Sequence, residues 1–159
     1  MRKTELMLGS VVAVRGNEAL RLKINGITKK KIQYINNKNQ PEYLRHSQLV
    51  PIHLDDFILG QLGFKKRVLT MGYNRVINDY MLILFDKKDE NIFYKITAQM
   101  DSELGIDKCR AIHIDNERSE SVGFGYVRDV HELQSLIQST TKMFLSADNL
   151  IEKENVEVD

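Results

Sequence analysis

At 159 residues, with 42% hydrophobic and 28% charged side chains, the chain has the balance of one ordinary globular domain or two very small ones. A lone cysteine, Cys109, excludes an intramolecular disulfide and cannot by itself hold zinc. No stretch approaches the roughly 18 apolar residues of a membrane span, and the charged opening lacks a signal-peptide core, so a cytoplasmic protein is expected.

The net charge of +1 conceals a split: residues 1–50 carry ten Lys/Arg against three acids, and residues 101–159 carry six against thirteen. Such asymmetry implies an anionic partner for the first third, contact between the two ends of one molecule, or simple solvation.

In chain order, Ser10 to Val14 is apolar and β-branched, Gly16-Asn17 breaks it, and Leu20, Leu22 and Ile24 alternate with Arg21 and Lys23 at the period of a strand. Asn25-Gly26 predicts a two-residue hairpin turn, because both centres of a type I′ turn need positive φ. A further strand over Ile27 to Ile35 ends in the turn-rich Asn36 to Pro41, and Glu42 to Arg45 closes the set. Short strands packed this densely predict a small SH3-like barrel over 1–50.

Residues 51–64 predict a helix of about two turns linking this barrel to the rest. Asp55 is its N-cap, Leu54 and Leu59 make a hydrophobic staple, and Gly63 is the left-handed residue past the end, followed by Phe64. Over 65–145 the sequence predicts strands at 68–71 and 76–85, a turn at Asp86 to Asn91, a strand over Ile92 to Thr97 and an irregular stretch to 109. A second hairpin follows, Arg110 to Ile114 with Val122 to Val127. Asp129 and Glu132 resemble a capping box, and Val130, Leu133, Leu136, Ile137, Thr140 and Phe144 recur at helical spacing, so 130–145 is expected to be an amphipathic helix laid on the sheet. Residues 146–159 read as an acidic tail that frays.

Three short stretches carry a resemblance. Glu5-Leu6 with Leu8-Gly9 and Val12, Pro51-Ile52-x-Leu54 before a helix ending Gly63-Phe64, and Val130-His131-x-Leu133-Gln134-x-Leu136 resemble a group of small uncharacterised proteins. These are common in Bacteroidota genomes and in the phages and mobile elements of those bacteria. The resemblance spans residues 5–145 in outline. His53 stands where the group has Pro, Gly60 interrupts the short helix and the acidic tail is additional. The resemblance implies a layout and a phage or mobile-element setting, and brings no activity and no catalytic residue.

Chemistry-bearing patterns are sparse. Gly123-Phe124-Gly125 is a fragment of a dinucleotide fingerprint lying in a predicted strand, so it reads as a packing feature. Cys109 and His113 stand four apart, but a strand over 110–114 spreads them along the sheet, and no second ligand pair exists, so no metal site is expected. Asp101 with Glu103, and His113 with Asp115, are acid/base pairs of the kind chance supplies in a charged chain. His131 reads as a partly exposed packing residue. The candidate binding face is basic: Arg21 and Lys23 on one strand, Lys29 and Lys31 on one face of the next with Lys30 opposite, and Tyr34 and Tyr43 beside them as stacking surfaces.

The sequence therefore predicts an α+β protein: a barrel, a connecting helix, then an antiparallel sheet covered by one helix. Its first functional reading is a non-enzymatic binding or adaptor protein acting on a host or phage macromolecule, a protein partner before a nucleic acid, with no cofactor and no membrane. A nucleic-acid-binding protein using the basic barrel is the alternative, and a small hydrolase or nuclease with a scattered site the second.

Overall fold

The computed structural model describes residues 6–71, 75–100 and 109–151. Among them the protein is α+β, with three antiparallel sheets and two α-helices. The first sheet has the order β2 (Asn17–Lys23), β1 (Val11–Val14), β6 (Leu49–Val50), and the second β3 (Gly26–Ile27), β4 (Lys31–Ile35), β5 (Pro41–Arg45). They enclose a small core of Leu6, Val12, Ile24, Ile32 and Leu49. No strand ladder joins one sheet to the other, so the expected closed SH3-like barrel is not formed among the described residues.

The point of departure is Asn25-Gly26. Instead of turning a hairpin, the chain passes from the first sheet into the second, with Asn25 N–H donating to Gln33 O at 2.8 Å. Gly26 does not take a positive φ, and a Cβ there would press on the Gln33 side chain, 2.9 Å from Oε1 and 3.2 Å from its Cβ. The strand expected over Ile27 to Ile35 is split as well. Thr28 Oγ1 accepts from Lys31 N–H at 3.0 Å and donates to Lys31 O at 3.0 Å, folding residues 28–30 into a tight turn between β3 and β4.

The short helix α1 (Asp56–Gln61) follows its sequence signals closely. Asp55 Oδ1 accepts from Ile58 N–H at 2.7 Å, Gly63 takes φ +96°, and Phe64 N–H donates to Leu59 O at 3.0 Å. The third sheet has the order β11 (Ser121–Val127), β10 (Arg110–Asp115), β9 (Phe93–Met100), β8 (Arg75–Phe85), β7 (Lys65–Met71). One of its faces joins α1 and α2 (Val130–Thr141) in the main core, which includes Ile58, Leu59, Ile96, Ile112, Ile114, Leu133 and Ile137. Gly123 and Gly125 let α2 approach β11: Cβ atoms there would lie 2.5 Å from Thr140 Cγ2 and 3.1 Å from Leu136 Cδ2. That is the packing role expected of the Gly-Phe-Gly fragment. Arg110, buried on β10, ties α1 to the sheet by donating to Asp56 Oδ1 at 2.9 Å.

β1 forms a wall of both cores. Val12 points into the small core, while Val11 and Ala13 point into the main one. A strand buried on both sides has no solvent face to mark with polar residues, which is why it reads as the uninterrupted run Val-Val-Ala-Val.

The last turn of the expected helix 130–145 does not form. α2 ends at Thr141, whose hydroxyl donates back to Ile137 O at 2.8 Å and accepts from Met143 N–H at 3.0 Å, and Lys142 adopts φ +61°. Phe144 leaves the helical stripe and lies over Gly9, where a Cβ would come within 2.7 Å of its ring. Residues 145–151 dock on the body of the protein instead of fraying. Leu145, Ala147 and Leu150 are buried in the main core, Arg21 Nη1 donates to Leu150 O at 3.1 Å, and Lys23 pairs with Asp148 at 3.0 Å. The remainder of the expected tail, 152–159, lies outside the described residues, as do Asp101 and Glu103.

Candidate anion-binding cleft

The chain folds three separate loops toward one cleft of about 520 Å³, lined by Arg15, Lys29, Lys30, Lys31, Arg45, His46, Ser47 and Leu49. The β3–β4 turn contributes Lys29, Lys30 and Lys31. Because that segment turns instead of running straight, all three reach the same cleft, whereas an extended strand would have sent Lys30 to the opposite side. Arg45 ends β5, and His46 and Ser47 belong to the 3-10 turn His46–Gln48 that follows. Arg15 comes from the β1–β2 turn.

These loops are fixed to one another by hydrogen bonds. His46 Nε2 donates to Thr28 O at 2.9 Å, joining the 3-10 turn to the lysine turn. Arg15 N–H donates to Gln48 O at 2.7 Å and Arg15 Nε to Ser47 O at 3.0 Å, while Arg45 N–H donates to Gln48 Oε1 at 2.9 Å. Five permanent cations and a histidine thus face one concavity with no carboxylate among the lining residues. Like charges held together repel one another, and a bound anion relieves that repulsion, so the preorganised cluster favours an anionic ligand.

The other residues of the expected basic face stand elsewhere. Arg21 and Lys23 are engaged by the docked segment through Leu150 O and Asp148. Tyr34 packs partly buried against the small core and donates its hydroxyl to the Glu42 carboxylate. That bond, with burial, pushes the Tyr34 hydroxyl up to about 12 and, together with the amide of Asn36, holds Glu42 below the usual carboxylate range. Tyr43 is exposed on β5, opposite Gln33. Arg15, Arg45 and His46 were not legible as site residues: no spacing links them, and only the excess of positive charge over residues 1–50 hinted at them.

A second constellation sits where the chain enters α2. Asp129 does not cap the helix with its side chain; it accepts from His53 Nδ1 at 2.7 Å across an isolated antiparallel bridge between residues 53 and 129. Burial, then a hydrogen bond to Asp129, push the Glu132 carboxyl above the usual carboxylate range. His131, expected partly exposed, is buried, and Asp129, His131 and Glu132 bring ligand atoms within 4.8 Å of one another. With Asp129 held by His53, and Leu54 N–H donating to Arg128 O and Val130 N–H to Ile52 O at 2.9 Å each, the group works as a hydrogen-bonded joint between residues 52–54 and α2. Arg128 Nε donates to Cys109 Sγ at 3.0 Å, whereas His113 stacks on Phe124 at 4.8 Å, so Cys109 and His113 take separate partners. His113 and Asp115 share the half-buried face of β10.

No helix among the described residues is long and apolar enough to cross a membrane. Comparison of the chain with protein-family models, with curated proteins and with solved structures returned no match.

Proposed function

We propose that this protein is a non-enzymatic binding protein of the cytoplasm whose basic cleft takes the phosphate backbone of a nucleic acid, in a phage or mobile-element setting. The observation that carries this reading is the convergence of Arg15, Lys29, Lys30, Lys31 and Arg45 on one cleft free of carboxylates. It promotes nucleic acid over the protein partner that the sequence alone favours. An extended polyanion can neutralise several of these charges at once and release the counterions they condense. The cleft lining has no Phe, Tyr or Trp on which bases could stack, and its one imidazole, His46, is tied to Thr28 O, so the reading is backbone recognition without sequence preference.

Fluorescence anisotropy with labelled 20-nucleotide single-stranded and duplex probes tests it. Binding should be measurable at low salt, with a slope of log K against log salt of about −3.6 to −4.5 on duplex, as four or five phosphate contacts require. Lys29→Glu/Lys30→Glu/Lys31→Glu should abolish it, and Arg21→Gln should leave it unchanged. Absence of binding to either probe at about 20 mM salt refutes the reading and returns the protein-adaptor reading to first place.

A further inference from the structure

The docked segment 145–151 runs in a definite direction. Lys23 pairs with Asp148 at 3.0 Å and Arg21 Nη1 donates to Leu150 O at 3.1 Å, so two residues forward along the segment match two residues backward along β2. Ile151 then leaves the 3-10 turn Asp148–Leu150 in an extended conformation, with φ −83° and ψ 118°. The chain is heading from Lys23 past Arg21 toward the turn between β2 and β1. That turn holds Arg15, one wall of the basic cleft. Ala13 pairs with Arg21, and Arg15 stands two residues beyond Ala13, about 7 Å further at the rise of a strand. Next in sequence come Glu152-Lys153-Glu154-Asn155-Val156-Glu157-Val158-Asp159, four acids against one lysine. Eight extended residues reach up to about 26 Å, well past Arg15.

We propose that residues 152–159 lie across the basic cleft and compete with its anionic ligand, a regulation that rests on the cleft being the anion site described above. Charge complementarity selects this seat. Arg15, Lys29, Lys30, Lys31 and Arg45 line the cleft, and none of them forms an ion pair with a carboxylate among the described residues. The direction of the chain excludes the other lysines beside the docked segment: Lys87 and Lys88, of the turn between β8 and β9, line a groove with Lys23 and Asp148 and so lie behind the course of the chain.

A tethered competitor of this kind acts at an effective concentration on the order of millimolar. Its contacts are exposed charge pairs, weak one by one and screened by salt. A free phosphate, with a single anionic group, gains too little to displace it. A long phosphate backbone engages the same cations with many charges and releases their counterions, and it wins. The tail therefore reserves the cleft for extended polyanions.

Two measurements on the full chain and on Glu152→Gln/Glu154→Gln/Glu157→Gln/Asp159→Asn, which keeps the length and removes the charge, test the contact. Without nucleic acid, at about 20 mM salt, the amide proton–nitrogen spectra of the two proteins should differ at Arg15, Lys29, Lys30, Lys31 and Ser47, and the differences should fade by about 0.3 M salt. In the anisotropy assay the variant should bind the 20-nucleotide probes about two- to fivefold more tightly than the wild type at low salt, and the two should converge at about 0.3 M. Unchanged cleft amides overturn the proposal whatever the probes do, since a gain in affinity without them reflects net charge alone. Differences centred on Lys87 and Lys88 overturn it as well. Cleft differences in proteins that bind neither probe uphold the tail's seat and refute the nucleic-acid reading, so the two failures are told apart.

Discussion

Replacing Gln134 by Leu is the sharpest test of how the two halves of this protein are joined. Gln134 is fully buried on α2, and its amide serves three backbone groups of two other segments. Oε1 accepts from Val11 N–H at 3.1 Å, and Nε2 donates to Leu145 O at 3.0 Å and to Gly9 O at 3.4 Å. Leucine has nearly the same volume and creates no large cavity, so the penalty falls on the orphaned groups. A buried donor or acceptor left without a partner costs about 1–3 kcal/mol. Val11 and Leu145 are both buried, whereas Gly9 is half-buried and its carbonyl also accepts other bonds more readily. Two full penalties and a partial one, less the gain from a more apolar side chain, give a loss of about 3–5 kcal/mol. Equilibrium urea unfolding followed by far-ultraviolet circular dichroism reads it directly, the chain having no tryptophan. A loss under about 1 kcal/mol would refute the reasoning, because it would mean that Val11 N–H and Leu145 O find other partners.

Leu150→Ala should cost about 2–4 kcal/mol in the same assay, as for any large aliphatic side chain removed from a core; an unchanged midpoint would show that the segment after Leu145 does not dock. Glu132→Gln should raise the melting temperature at pH 8 and change it little near pH 4. A carboxyl whose folded-state affinity for protons is raised stabilises the fold below its unfolded value and loses that contribution as pH rises through the folded one. Glutamine keeps the protonated form's donor at every pH; a gain that grows on acidification would contradict a raised Glu132 carboxyl.

Legibility followed the range of the interactions. α1 was readable almost to the residue because Asp55, Leu54, Leu59, Gly63 and Phe64 all act within one short segment. The hairpin about Asp86 was readable for the same reason: Asp86 N–H donates to Ile92 O at 2.9 Å, and Asp86 Oδ1 accepts from Lys88 N–H. Asn25-Gly26 misled because a local turn signal was overruled by a non-local pairing, Asn25 N–H donating to Gln33 O on β4. Asp129 looked like a cap, yet its partner is His53, 76 residues away. The site divided likewise. Lys29, Lys30 and Lys31 were visible as a charged run, but the turn that aims all three at one cleft depends on Thr28. Arg15, Arg45 and His46 join them only through bonds made across the folded module. Arg21 and Lys23, adjacent in sequence to the right charge, were claimed by the docked segment at 145–151.

The double-sided burial of β1 also bears on how the chain is made. Synthesis delivers β1 early, and the strands that cover Val12 follow within a few dozen residues, so the small core can close while translation continues. Val11 and Ala13 face elements that do not yet exist: the hydrogen bond to Val11 N–H comes from a residue 123 positions later. At roughly 5–20 residues per second, that interval is about 6–25 s. During it the nascent protein displays an apolar wall with nothing to lay against it, at the stage when aggregation and chaperone capture compete with folding. Closure of the main core therefore waits for α2, and stalling or truncation between residues 50 and 130 should yield a partly closed, adhesive module in place of an independently soluble one.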